Sequence, residues 1–205
     1  MASLSTEILD LAIKGVIERD DDKLHEAIAL DSRIDDAEME IDQMAFSLFS
    51  RGPLASDLRL IMIAVKASSD LERIGDEATT ISRRGLKLSL EPQLKDYVDI
   101  PKMTLITMSM LKDALTAFVT GDSDAAREIV LRDKQVDKFN KDLQKELEEF
   151  MSKDPGKISR CLHLMTISKA IERVADHVKN IAEGVVFLHE GEDIRHRAKT
   201  QGLKP

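Results

Sequence analysis

The chain has 205 residues, 30 Lys+Arg against 38 Asp+Glu for a formal net charge of −8, and only 3% aromatic residues. An acidic chain with six Phe, one Tyr and no Trp offers neither the clustered cations that grip a phosphate backbone nor the rings on which bases stack, which argues against nucleic-acid binding. Its single cysteine, Cys161, excludes an intrachain disulfide and a cysteine-based zinc site within one chain.

The wealth of Ala, Leu, Lys, Glu and Met favours helices over strands, and the punctuation predicts six helices. The first covers about 3–19 and stops at Asp20-Asp21-Asp22, an acidic break suited to starting the next helix. The second, 22–51, ends at the Gly52-Pro53 turn. The third, 54–86, gives way to a stretch from Leu86 to Pro101 that loses clear periodicity and reads as a linker. The fourth, 100–120, stops at Gly121-Asp122-Ser123-Asp124; the fifth, 123–152, stops at Pro155-Gly156; the sixth covers 156–190. Four of these helices would each span about 45 Å. No segment reads as a strand. The N-terminal stretch has no basic region followed by an apolar run, and no uncharged apolar stretch approaches a membrane span, so a soluble, cytoplasmic protein is expected.

The helices carry seams. Ala27, Ile34, Ile41 and Leu48 recur every seven residues in the second helix, and Ile129, Val136, Leu143 and Phe150 do the same in the fifth. Shifting the first set by 102 gives the second, the signature of an internal repeat. Asp22, Glu26, Asp31, Asp35 and Pro53 map at the same offset onto Asp124, Glu128, Asp133, Asp137 and Pro155. Beyond the turn the offset becomes 100, and Leu71-Glu72-Arg73-Ile74-Gly75-Asp76 matches Ile171-Glu172-Arg173-Val174-Ala175-Asp176. The expected fold is all-α: two pseudo-symmetric three-helix bundles, residues 1–92 and 93–205.

The informative residues are acids that interrupt the seams. On the third helix the stripe Leu58, Ile61, Val65, Ser68 continues into Glu72 and Gly75; on the sixth, Ile158, Cys161, Met165, Ser168 continues into Glu172. Asp76 and Asp176 lie four residues further on, so each acid pair shares one helix face. The partner helices offer Asp31 with Asp35, and Asp133 with Asp137. One such pair is ordinary on a solvated helix. Four pairs in repeat-related places set carboxylates against one another, and multivalent cations with oxygen ligands relieve that repulsion. The eight candidate metal ligands are therefore Asp31, Asp35, Glu72, Asp76, Asp133, Asp137, Glu172 and Asp176. Other candidates are weaker. His177 adjoins Asp176, but Glu77 stands at its repeat position; Cys161 falls on the inner stripe as a core residue. Met62, Met103, Met108, Met110 and Met165 read as core filler. The Glu-x-x-His pattern of di-iron bundles is absent, as are phosphate-cradling glycine loops, nucleophile elbows and HExxH.

The block ASDLRLIMIAVKASSDLERIGDEATTI, its echo RCLHLMTISKAIERVADHVKNIAEG and the GEDIRH near the C-terminus resemble the PhoU family of phosphate-uptake regulators over essentially the whole chain. The resemblance implies two three-helix bundles and a negative regulator of phosphate uptake and of the phosphate-starvation response, not an enzyme. It implies work between the ATPase subunit of the phosphate ABC transporter and a phosphate-sensing histidine kinase, as a homodimer that meets the membrane only through partners. It also implies multinuclear clusters, with iron or zinc ahead of manganese or magnesium, on the four acid pairs. The second repeat departs from the pattern: Ala175 replaces the usual glycine, and Asp57-Leu58-Arg59 has no clean copy, so its site is expected to differ in nuclearity or affinity. The competing reading is a carboxylate-bridged metalloenzyme in a helical bundle, which would lack a histidine ligand and an evident base.

Overall fold

A computed structural model describes residues 1–94 and 99–195. It holds six α-helices and, among the described residues, no strand: α1 (Ala2–Glu18), α2 (Asp21–Phe49), α3 (Ala55–Ser89), α4 (Asp99–Thr120), α5 (Ser123–Lys153) and α6 (Ile158–Glu190), with a single 3₁₀ turn over Pro155–Lys157 before α6. Helices α1–α3 pack on one another, as do α4–α6. The two units join mainly through α3 against α6, and one continuous core of buried aliphatic side chains runs through both.

The breaks repeat as the sequence does. Arg19 caps α1 in the left-handed region at φ 56°, and Gly121, 102 residues on, ends α4 at φ 72°. The next residue caps the following helix in each unit. Asp20 accepts hydrogen bonds from the backbone N–H groups of Asp22 and Lys23, and Asp122 accepts one from Ala125. Arg19 lacks glycine's freedom at this angle. Its guanidinium donates to the carbonyl oxygens of Leu88 at 2.9 Å, Ser89 at 3.1 Å and Glu91 at 2.6 Å, which holds the turn and satisfies the open C-terminus of α3.

That contact corrects the expected linker. Helix α3 continues to Ser89, because Leu88 is buried and Arg19 caps the end. Pro101 lies inside α4, in its first turn, where a missing N–H leaves no helix bond unmade. Residues 95–98 and His196, part of the linker and of the GEDIRH segment, lie outside the described residues.

The seams are filled unequally. On α5, Ile129, Val136 and Leu143 are buried and Phe150 is packed against the core. On α2, Ala27 and Ile34 are buried, Ile41 is half-buried and Leu48 is exposed. Beyond Ile34, α2 buries only Ala45 among its residues. The outer part of the α2–α3 hairpin therefore presents Phe46, Leu54 and Leu60 to solvent. An apolar groove of about 570 Å³ lies beside it, lined by Met44, Leu48, Ile61, Val65 and Phe118 among others. Met62, expected as core filler, is exposed as well, whereas Met103 and Met110 are fully buried.

Candidate functional site

In the first repeat the four acids named from the sequence face one another across α2 and α3. Burial pushes the Asp31 carboxyl above its ordinary range, and the charges of Asp35 and Asp76 push it the same way, against the nearby Thr79 hydroxyl and the more distant Arg83. Glu72 is likewise raised, by burial first and then by Asp76, Glu38 and Asp35, with Arg73 opposing. Glu38 is a fifth carboxylate that the pair-by-pair reading missed; it lies seven residues after Asp31, and that heptad spacing was the available signal. Gly75 makes the approach close: a Cβ there would stand 3.5 Å from Asp31 Oδ1 and 2.9 Å from Ile34 Cδ1. Arg73 lies at the rim, where its Nη1 donates to Asp76 at 3.0 Å and its Nε stands 3.3 Å from Glu72. Glu72 Oε2 is nevertheless buried without a hydrogen bond, and so is the Thr79 hydroxyl.

The second repeat is built differently. Asp133 is buried, and burial raises its pKa, with Asp176 and Asp137 adding to the effect. Lys179 donates from Nζ to Asp133 Oδ2 and to Asp176 Oδ1, each at 2.7 Å. Glu172 is bound by Lys169 instead of joining this group. At the place of Glu38 stands Asn140, a neutral and buried side chain whose Oδ1 accepts from Ser168 Oγ at 2.8 Å and from Gln144 Nε2 at 3.1 Å. Asp133 and Asp176 thus share an ammonium, with Asp137 acting on Asp133 as a further charge, and Asp133 Oδ1 is left buried without a partner.

Among the described residues, no group of three or more His, Cys, Asp or Glu side chains stands in a geometry that holds a metal ion. The first cluster still fits a cation: its donors are all carboxylate oxygens, five lie within electrostatic reach, and a glycine leaves room opposite Asp31. Closing it needs rotation of the exposed Asp35 and Asp76 side chains. The second cluster does not fit as it stands, because a lysine already occupies its centre.

His177 lies on the other face of α6, where Nδ1 meets Asp70 Oδ1 at 2.8 Å. With Asn180 on Asp70 at 3.0 Å and Arg173 on Glu77 at 3.2 Å, it ties α6 to α3 across the two units. Cys161 is fully buried, which raises its thiol pKa and makes it a packing residue.

Fold and site together define a class: an all-helical repeat protein with an acid cluster in each half, one open and one closed by lysine. The chain belongs to the PhoU family, whose PhoU domain model matches residues 1–85 and again 100–185. It is 37% identical over all of its length to a Pseudomonas putida protein named phosphate-specific transport system accessory protein PhoU homolog, 79% of which is covered. A homolog of the same name from Aquifex aeolicus is 36% identical over 96% of this chain and 90% of that protein. The crystal structure of PhoU from Pseudomonas aeruginosa superposes with a TM-score of 0.91 at 35% identity, covering 94% of this chain and 93% of that one. That of the phosphate transport system regulatory protein PhoU from Streptococcus pneumoniae gives 0.87 at 28% identity, over 94% and 91%. These names describe accessory and regulatory proteins, and the metalloenzyme alternative finds no support in them. No described helix is long and apolar enough to cross a membrane.

Proposed function

We propose that this protein is a regulatory accessory of phosphate uptake that restrains both transport and the phosphate-starvation response. The observation that carries the reading is the match of both repeats, over nearly the whole chain, to proteins named as accessories of the phosphate-specific transport system. Its partners are the ATPase subunit of the phosphate ABC transporter and a phosphate-sensing histidine kinase, met on the cytoplasmic side of the membrane. The exposed apolar tip of the α2–α3 hairpin, with Phe46 and Leu54, supports docking to such partners or to a second copy in a homodimer.

The reading extends to a cation in the first repeat. Asp31, Asp35, Glu38, Glu72 and Asp76 would hold it, as iron or zinc first and manganese or magnesium otherwise. A bound multivalent cation would neutralise the cluster and offer a positive centre to an anion such as phosphate. The chain's own part is to fix the spacing of α2 and α3, which Gly75 keeps close, and to hold Asp76 at the rim through Arg73. Deleting the gene should leave phosphate-starvation genes active in phosphate-replete medium. Normal repression in the deletion strain, together with no capture of either partner by the purified protein, would overturn the regulatory reading.

A further inference from the structure

The two acid clusters occupy repeat-related places; among the substitutions between them three make the second less negative, while the exchange of Arg83 for Glu183 acts the other way. Thr79 in the first repeat becomes Lys179 in the second, Ser69 becomes Lys169, and Glu38 becomes Asn140. Each of these three changes the same balance in the same direction: the second cluster gains two ammonium groups and loses a carboxylate. The gains are placed to act. Lys179 Nζ spans from Asp133 on α5 to Asp176 on its own helix, at 2.7 Å from each, and Lys169 pairs with Glu172. Arg173, the counterpart of the rim arginine Arg73, turns away to Glu77 on α3. Asn140 is locked by Ser168 and Gln144 and adds no charge. Glu183, one turn beyond Lys179 and buried, adds a further anion to the surroundings of that ammonium.

From this we infer that Lys179 is a tethered counter-ion that replaces a bound cation in the second repeat, so that this half takes no metal ion and the protein carries a single cation site, in the first repeat. A lysine held at two carboxylates loses no binding entropy to association, since it is part of the chain. A metal ion entering there would have to displace an ammonium from a largely buried pair and leave that charge without partners, the costly way to break such a pair. The first repeat has only the uncharged Thr79 at that place, and its resident cation, Arg73, sits exposed at the rim on Asp76 and Glu72 and not on Asp31.

The statement about the first repeat rests on the cation reading proposed above; the statement about Lys179 does not. The test therefore has two readouts on the full-length protein. The first is equilibrium dialysis against Mn²⁺ or Zn²⁺ with elemental analysis. Asp35→Asn combined with Asp76→Asn should lower bound metal to background. Adding Lys179→Thr should restore it, and adding Asp137→Asn should remove it again. Thr79→Lys alone should weaken uptake at least tenfold. Metal that remains on the Asp35→Asn/Asp76→Asn protein with Lys179 intact, and leaves on Asp137→Asn, would overturn the inference.

The second readout is stability without metal. Lys179→Thr should lower Tm by about 5 °C or more. Adding Asp133→Asn should recover most of that loss, because the buried carboxylate is then neutral. If Lys179→Thr does not fold, the amine of Lys179 in the unaltered protein should acetylate at least tenfold more slowly than that of the exposed Lys134. Unchanged Tm, no recovery by Asp133→Asn, or equal acetylation would each refute the counter-ion role. If the unaltered protein binds no metal at all, the cation reading of the first repeat fails, and the stability cycle alone decides the role of Lys179.

Discussion

The two repeats share their skeleton and differ in how they settle the same electrostatic problem. Both start their long hairpins with an aspartate cap, both turn at a proline, and both set an acid–xxx–acid pair against a second one. The first repeat leaves its carboxylates facing one another with one arginine at the rim. The second brings Lys179 between them and replaces Glu38 by Asn140. Crowded carboxylates within one fold are thus met by an internal ammonium in one repeat and left open, with an arginine at the rim, in the other. The hairpins differ as well: α5 is sealed along its seam, while beyond Ile34 α2 buries only Ala45.

The largest expected effect breaks the packing half of this comparison. Leu143→Ala on α5 removes a buried side chain and should cost about 3 kcal/mol, a fall in Tm of about 6–12 °C. Ile41→Ala, its repeat equivalent on the half-buried stretch of α2, should cost only about 1 kcal/mol. Equal losses by thermal unfolding would mean that α2 is covered as well as α5. Next in size is the cap of α5: Asp122→Ala should cost about 1 kcal/mol in the same assay, through the lost bond to the Ala125 N–H.

The smallest effect sharpens the electrostatic half. Burial and neighbouring acids raise the Glu72 pKa in the folded chain, so the folded state binds protons more readily than the unfolded one there. Its ionised form therefore costs stability at pH 7, and that cost disappears as pH falls through the carboxylate range to below the unfolded value of about 4.5. In cation-free protein, Glu72→Gln should raise Tm at pH 7 by about a degree or two. The gain should vanish near pH 4; a gain that grows on acidification would contradict the assignment.

Much of this was legible in the sequence, for identifiable reasons. The six helices followed from seven-residue seams and acidic breaks, and the repeat followed from offsets of 102 and 100 shared by chemically different residues. Four acids of the first cluster were legible as acid–xxx–acid pairs in repeat-related places, and the fifth, Glu38, was not. The end of α3 was misjudged because its cap, Arg19, lies about 70 residues away in sequence. Exposure of the α2 tip depends on what packs across it from other helices, which no local pattern on α2 records. Lys179 and Asn140 carry no signal in the shared pattern, because they stand where the repeats differ. Whether four pairs become two equal sites depends on which side chains reach the seam, and that is a property of packing.

The two clusters are unequal in their charges, and metal content of protein purified without chelator tests the consequence most directly. Glu72→Gln should strip the protein of most of its bound metal, whereas Glu172→Gln should leave the content unchanged. Equal loss in the two variants, or loss in Glu172→Gln alone, would contradict it.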